Sequence, residues 1–199
     1  MRFWIDFTAG YSQGVFLDQR SNRAEARKRA QGLRVLNCFA YTCAFGVAAA
    51  LGGGETVNLD LSKRYLEWGR RNFELNGIDA AGHEFVYGEV ANWLERFARK
   101  RRQFDLVILD PPTFSRDKEG KVFSVEADFA GLVRGAEGVL ANAGAMFCST
   151  NQRTLAAEGF RRLIEEGLSR PAAWRIEQRR MPADFPGEET LKAFWVERR

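Results

Sequence analysis

Phe104-Asp-Leu-Val-Ile-Leu-Asp-Pro-Pro-Thr-Phe114 is the stretch on which the fold turns. Its apolar run, 106–109, is short, β-branched at the centre and bracketed by Asp105 and Asp110. Such a run reads as a strand buried on both faces, the kind that a parallel sheet contains. Pro111 and Pro112 fix φ and donate no ladder hydrogen bond, so the chain leaves the sheet at Asp110 in a stiff, extended loop. In open parallel α/β sheets, ligands bind beyond the carboxyl ends of the strands. Asp110, Pro111, Pro112 and Phe114 thus present a carboxylate, prolyl carbonyls and a ring face to a flat substrate. An ordinary strand exit would not call for so sharply placed a Pro-Pro-Thr-Phe.

Working outward, strands and helices alternate. Segments 34–39 and 55–61 read as strands around a helix of small residues, 44–51, which Gly52-Gly53-Gly54 stops. Ser62 is a good N-cap for a helix ending at Asn76-Gly77, where Gly77 suits the left-handed position. Segment 84–87 is a strand and 90–100 a helix. Phe129, Leu132, Val133, Ala136, Val139 and Leu140 recur at helical spacing, as do Phe160, Leu163, Ile164 and Leu168, with a strand at 145–149 between them. Segments 174–181 and 191–197 are two strands with no helix between. At the other end, 3–7 and 11–18 read as a short hairpin about Ala9-Gly10, followed by a polar, Arg-rich connection over 19–32. This alternation predicts an α/β, Rossmann-like fold: a mostly parallel sheet with right-handed crossovers, an antiparallel edge hairpin and a short N-terminal β-hairpin. One domain over 1–199 is expected, divided into the hairpin and basic connection (1–32) and the core (33–199).

The 199 residues, 45% hydrophobic, suffice for one substantial core. No apolar stretch approaches membrane-spanning length, and the first residues lack a signal peptide's apolar segment, so a cytoplasmic protein without membrane partners is expected. Three cysteines and the single His83 argue against both a disulfide framework and a metal site. The formal charge is +4, with basic residues clustered at 20–29, 96–102, 116–121 and 175–180. Such clusters often do no more than solvate helix faces, but they are also what phosphate backbones attract. Together with the Pro-Pro-aromatic loop they point to nucleic acid.

The first strand-to-helix turn, Leu36-Asn-Cys-Phe-Ala-Tyr-Thr-Cys-Ala-Phe45, lacks the glycines of a pyrophosphate-binding fingerprint, which disfavours a dinucleotide. Asn37, Tyr41 and Thr42 can make polar contacts there, and Phe39 or Tyr41 can shield a sulfonium. Phe45 suits a core plug. Asp60 ends the second strand about twenty residues on, where such units place a ribose-binding carboxylate. It would serve equally to stabilise the dipole of the helix that follows. Glu89, after the third strand, is a candidate for an adenine edge and is hardly distinguishable from a solvated loop acid.

Asn37-x-Phe-Ala-Tyr-Thr42, Asp60-Leu-Ser-Lys-Arg-Tyr65, Asn72-Phe-x-x-Asn76-Gly77 and Asp110-Pro-Pro-Thr-Phe-Ser115 resemble the S-adenosylmethionine-dependent methyltransferases of bacterial large-subunit ribosomal RNA. Tyr11-Ser-x-Gly-x-Phe-Leu-Asp-Gln-Arg20 is similar to the segment that leads into that family's catalytic domain, and the resemblance covers nearly the whole chain. It implies a seven-stranded class I methyltransferase with S-adenosylmethionine as cofactor and ribosomal RNA as partner. The cofactor site it implies comprises Asn37, Phe39, Ala40, Tyr41, Thr42, Asp60, Leu61 and Glu89. Asp110 is expected to serve the target base or the methionine amino group, and Arg20 to fork onto a carboxylate or phosphate. Phe114 is expected to stack on the base and Asn151 to orient it. Family members carry RNA-binding domains ahead of this one, so the chain is expected to be the catalytic part. Cytosine-C5 transfer needs a cysteine nucleophile, yet the corresponding position carries Asn151, and Ser149-Thr150-Asn151 with Thr113 is closer to the guanine-N7 branch. Guanine N7 is therefore expected. The alternatives are cytosine C5, a small-molecule or protein methyltransferase, and a noncatalytic RNA-binding module.

Overall fold

The structure, a computed structural model, describes residues 1–8, 12–116, 122–185 and 190–199, with the side chains of 114–116 and 122 outside the description. Helix α1 (Arg20–Arg29) precedes strand β1 (Arg34–Cys38). Then come α2 (Ala44–Leu51), β2 (Glu55–Asp60), α3 (Lys63–Leu75), β3 (Glu84–Tyr87), α4 (Val90–Arg99) and β4 (Phe104–Leu109). A small antiparallel ribbon of β5 (Phe114–Arg116) and β6 (Val122–Ser124) leads into α5 (Val125–Gly138). Strand β7 (Leu140–Thr150), α6 (Ala157–Gly167), β8 (Trp174–Arg179) and β9 (Lys192–Arg198) follow. Seven strands form one sheet in the order β3-β2-β1-β4-β7-β9-β8. The first five of these are parallel and the last two antiparallel, so the expected sheet and its edge hairpin are both present.

Successive residues of each strand face opposite sides of the sheet. Val35, Leu106, Ile108, Phe147 and Trp195 pack against Ala26 of α1, its C-cap Ala30, and Phe45 and Ala49 of α2. Leu36, Cys38, Val107, Leu109, Met146 and Cys148 pack against the apolar faces of α4, α5 and α6 on the other side. With both sides covered, β4 is buried and apolar at each position from 106 to 109, which is why this run carries no alternation. The caps follow the sequence as well. Ser62 Oγ accepts the Tyr65 N–H at 3.2 Å, and Gly77 takes φ +72°.

Register decides what the sheet presents. Leu59, Cys38, Leu109 and Cys148 lie in one row across β2, β1, β4 and β7. The next residues, Asp60, Phe39, Asp110 and Ser149, therefore emerge side by side along one edge. Strand order reverses between β1 and β4, the switch point at which such sheets bind ligands.

The N-terminal region differs from expectation. Among the described residues 1–8 and 12–16 there is no strand, and the turn at Ala9-Gly10 and Tyr11 lies outside the described residues. One bond, from the Asp6 N–H to the Gln13 carbonyl, links the two arms at 3.1 Å. The backbone of residues 2–4 finds its partners on α3 and its C-cap. Asn76 Oδ1 accepts the Arg2 N–H, Asn72 Oδ1 accepts the Trp4 N–H, and Trp68 Nε1 donates to the Trp4 carbonyl. Two asparagines thus satisfy the donors that a hairpin ladder would have satisfied. The Arg-rich connection is helix α1, preceded by a 3-10 turn over Leu17–Gln19. Its buried stripe, Gln19, Asn22, Arg23, Ala26 and Ala30, has helical spacing, but three of the five are polar, which hides it from a hydrophobic pattern.

Candidate active site

The β1–α2 turn supplies the floor of the site. Phe39, Tyr41 and Cys43 all adopt the left-handed conformation, at φ +56°, +49° and +60°. For non-glycine residues this costs about 1 kcal/mol or more each. The surroundings hold the turn in place. Asp60 Oδ2 accepts the Tyr41 N–H at 2.8 Å, the Ala40 N–H reaches the Leu59 carbonyl at 3.0 Å, and Asn72 Nδ2 donates to the Thr42 carbonyl at 2.9 Å. A Cβ on Gly69 of α3 would lie 2.3 Å from Cys43 Sγ, so a glycine at 69 is what lets α3 approach the turn. The absent glycine fingerprint is thereby explained: tertiary contacts impose left-handed geometry on residues that disfavour it.

Above this floor lies a cavity of about 410 Å³. It brings together Asn37, Phe39, Ala40, Tyr41, Asp60, Leu61, Asp110, Pro111, Pro112 and Asn151, ten of the residues expected from sequence. Three others are placed elsewhere. Thr42 is fully buried and gives its hydroxyl to the Gly14 carbonyl at 2.5 Å, which ties down the 12–16 arm. Arg20 does fork onto a carboxylate, but it is the chain's own Asp184, at the surface. Glu89 is the N-cap of α4, and its neighbour Val90, not Glu89 itself, lines the cavity. Phe114 starts β5, and its side chain lies outside the described residues. Asn151 sits exposed at the rim, its loop pinned by Lys192 Nζ, which donates to the Gln152 carbonyl at 2.7 Å.

Among the described residues the charged lining groups are Asp18, Asp60, Asp110 and Arg23, three acids against one base. Burial pushes the Asp110 carboxyl up to about 6, helped by nearby Asp18 and opposed by hydrogen bonds from Ser149 and Gln19 and by the Arg23 charge. Asp110 Oδ1 accepts Ser149 Oγ at 2.6 Å and Gln19 Nε2 at 3.0 Å, and Gln19 Oε1 accepts Asn22 Nδ2 at 2.7 Å. Burial also raises Asp60, although the Tyr41 and Ser62 N–H groups hydrogen-bond its charged form. Asp18 is raised by burial too, and Arg23 is lowered to about 10 for the same reason. A cavity of this sign suits a ligand that carries net positive charge.

None of the three cysteines lines the cavity. All are fully buried, and desolvation pushes each thiol well above its ordinary value. Among the described residues no group of His, Cys, Asp and Glu could hold a metal, and no helix is long and apolar enough to cross a membrane. The basic cluster at 96–102 is misplaced for a role at the cavity. Helix α4 begins there with Val90 and runs back along the sheet, so Arg101 and Arg102 meet Arg34 and Glu55 at the opposite strand ends. In the 20–29 cluster, Arg23 is buried, and Arg29 is bonded to Glu25 and Glu197.

Sequence reasoning missed Ser12, Phe16, Asp18, Gln19 and Arg23, all of which line the cavity. A signal for two of them was available: Gln19 and Arg23, at i and i+4, share one helix face.

A family model described as S-adenosylmethionine-dependent methyltransferase matches residues 1–195. The chain is similar to ribosomal RNA large subunit methyltransferase K of Neisseria meningitidis serogroup B, with 34% identity over 98% of this chain and 54% of that one. It is also similar to ribosomal RNA large subunit methyltransferase K/L of Psychrobacter, with 40% identity over 75% of this chain and 19% of that one. The chain therefore spans about half the length of the first of these relatives and a smaller share of the second. Among solved structures, the methyltransferase SMU.776 complexed with SAH superposes with a TM-score of 0.87 at 35% identity, over 94% of this chain and 51% of that one. A methyltransferase from Agrobacterium tumefaciens shares the fold, with a TM-score of 0.81 at 22% identity over 98% of this chain and 66% of that one.

Proposed function

The chain belongs to the S-adenosylmethionine-dependent methyltransferase family, and from that premise we propose that it methylates large-subunit ribosomal RNA, at guanine N7. One observation carries this: the switch-point cavity holds Asp60 on one side and Asp110-Pro111-Pro112 with Asn151 on the other, and no thiol lines it.

The residues present fit the cofactor. Asp60 retains lone pairs beyond the two N–H groups it accepts, enough for ribose hydroxyls. Phe39, Tyr41 and Tyr65 supply ring faces, and Tyr41 and Tyr65 meet edge to face at 4.5 Å. The excess of acids favours a cation. S-adenosylmethionine supplies a methyl group made electrophilic by its sulfonium. The chain's own residues do the rest. Asp110, fixed by Ser149 and Gln19, accepts N–H groups of the base, and the prolines behind it keep that edge rigid. Asn151 orients the base from the rim. Guanine N7 is already a lone pair, so positioning is most of the catalysis and no general base is required.

A cytosine-C5 enzyme would need a thiolate at the base, and Cys148 instead lies in β7 between its neighbours Leu109 and Phe194. The test is transfer of a labelled methyl group to ribosomal RNA that lacks the modification, followed by chemistry that cleaves at N7-methylguanine. Label released at guanine is the expected result. Label in 5-methylcytosine would overturn the N7 assignment, as would a Cys148→Ala protein that folds and binds cofactor but transfers nothing. Label only in protein or small molecules would overturn the RNA assignment.

A further inference from the structure

Large apolar side chains open to solvent are concentrated in the arms that precede α1. Among the described residues Phe7 is 79% exposed and Trp4 48%, and Phe16 and Leu17 are exposed beyond them. A scattered exposed apolar residue is ordinary on a protein surface, but a group of them beside a ligand cavity marks a contact surface.

The backbone beneath this group is fixed. Asn72 and Trp68 hold Trp4 to α3. Gly14 lies so close to the Trp4 carbonyl that a Cβ there would come within 2.6 Å of its oxygen. The Gly14 N–H donates to the Tyr41 hydroxyl at 3.0 Å, and that hydroxyl donates to the Ser12 carbonyl at 2.9 Å. Phe16 then meets Tyr41, with ring centroids 5.7 Å apart, and lines the cavity. The arms therefore lead along α3, from Arg2 beside Asn76 to Phe16 at the cavity.

Cations accompany the rings. The Arg71 guanidinium lies over the Trp4 ring, 5.5 Å from its centroid. Arg64 is two helical turns away, roughly 10 Å along α3, and both arginines are exposed. Among the described residues neither is held by a carboxylate, unlike Arg29, Arg34 and Arg102. Asp6 is near Arg64, but its Oδ1 accepts the Thr8 N–H at 2.8 Å and the Thr8 hydroxyl at 2.6 Å.

We infer that this strip is a track for the unpaired RNA next to the target base. Bases stack on Phe16, Trp4 and Phe7, and phosphates meet Arg64 and Arg71. The inference rests on the RNA reading above. A base drawn into the cavity leaves its neighbours unstacked, and their faces need a substitute surface. Rings interleaved with guanidinium groups supply one without reading sequence. The cavity's excess of acids repels phosphates, so the cations that hold them have to lie outside it.

Fluorescence anisotropy of a labelled single-stranded RNA of about ten nucleotides, and of a duplex of the same length, tests this. Trp4→Leu combined with Phe7→Leu removes two rings and keeps the backbone bonds. It is expected to weaken the single strand about fivefold or more, and to leave the duplex and SAH affinities unchanged. Arg64→Gln combined with Arg71→Gln is expected to lower the slope of log affinity against log salt by about 1.4, two phosphates' worth for a single strand. Undiminished single-strand binding by both variants would overturn the inference. So would equal weakening of single strand and duplex by the ring variant. Sedimentation that shows a parent dimer and a monomeric ring variant would also overturn it, by assigning the strip to a second copy of the chain. If the ring variant loses SAH, its arms are displaced and the arginine variant decides alone. If the parent binds no RNA and transfers no label to ribosomal RNA, the RNA reading itself fails, an outcome distinct from the others.

Discussion

The two ends of the same sheet treat charge in opposite ways. At the N-terminal ends of the strands, Arg34 clasps Asp105 through two bonds of 2.9 Å, and Arg102 clasps Glu84. These partners hold both carboxyls below their ordinary range, through hydrogen bonds from Arg34 and Arg102 respectively. At the C-terminal ends, Asp18, Asp60 and Asp110 are all raised by burial, and Asp18 and Arg23 each keep an unpaired atom. Three left-handed residues add backbone cost at that end, against one, Arg101, at the other. At one end ion pairs favour the charged carboxylates; at the other, desolvation disfavours them, as is common where a site must bind a ligand.

The largest effect should come from Asp110. Asp110→Asn keeps an Oδ1 acceptor for Ser149 and Gln19 but loses the charge. Turnover should fall about 100-fold, with cofactor affinity changed far less, as single-turnover rates and calorimetry would record. The same variant has a pH signature. Because the folded carboxyl titrates near 6, above its ordinary 3.8, the folded state binds the extra proton between those values. The contribution of this group to stability is therefore full below pH 3.8 and lost as pH rises through 6. Asp110→Asn should match the parent in denaturant melts near pH 4. It should exceed the parent by about 1–3 kcal/mol at pH 8. Equal stability at both values would show that Asp110 is no more strained than Asp105.

Next is Gly69→Ala, whose new Cβ meets Cys43 Sγ at 2.3 Å. Overpacking there should cost about 1–3 kcal/mol and weaken SAH binding by displacing the 39–43 turn. A loss of stability with unchanged SAH affinity would mean that the turn is not part of the cofactor floor.

The smallest effects belong to the far end. Arg34→Ala and Arg102→Ala remove partly exposed ion pairs and should each cost under about 1 kcal/mol. Reversing Arg99, Lys100 and Arg101 to Glu should leave the salt dependence of RNA binding unchanged, because this cluster lies at the opposite strand ends from the cavity. A slope flattened by the reversal would place RNA across the whole sheet edge.

Much of this was legible in residues that act locally. A buried strand such as 104–109 announces itself through apolar residues, a Ser62 cap through its own hydroxyl, and Gly77 through its conformational freedom, so element order and sheet type follow from neighbours in the chain. Asp60 and Asp110 could be picked out for a related reason: each ends a strand, and parallel register sends strand ends to one edge. Residues 12–23 could not be read this way. The bonds that define this segment run from Thr42 to Gly14, from Gln19 to Asp110 and Ser149, and from Arg23 to the Phe16 carbonyl, and most of them span long stretches of chain. The left-handed turn at 39–43 is of the same kind, since Asp60, Asn72 and Gly69 impose it on residues with no preference for it. Local preference therefore set the elements and the edge where a site had to lie. Which side chains entered that site, and which were withheld from it as Thr42, Arg20 and Glu89 were, depended on contacts that exist only once the sheet has closed.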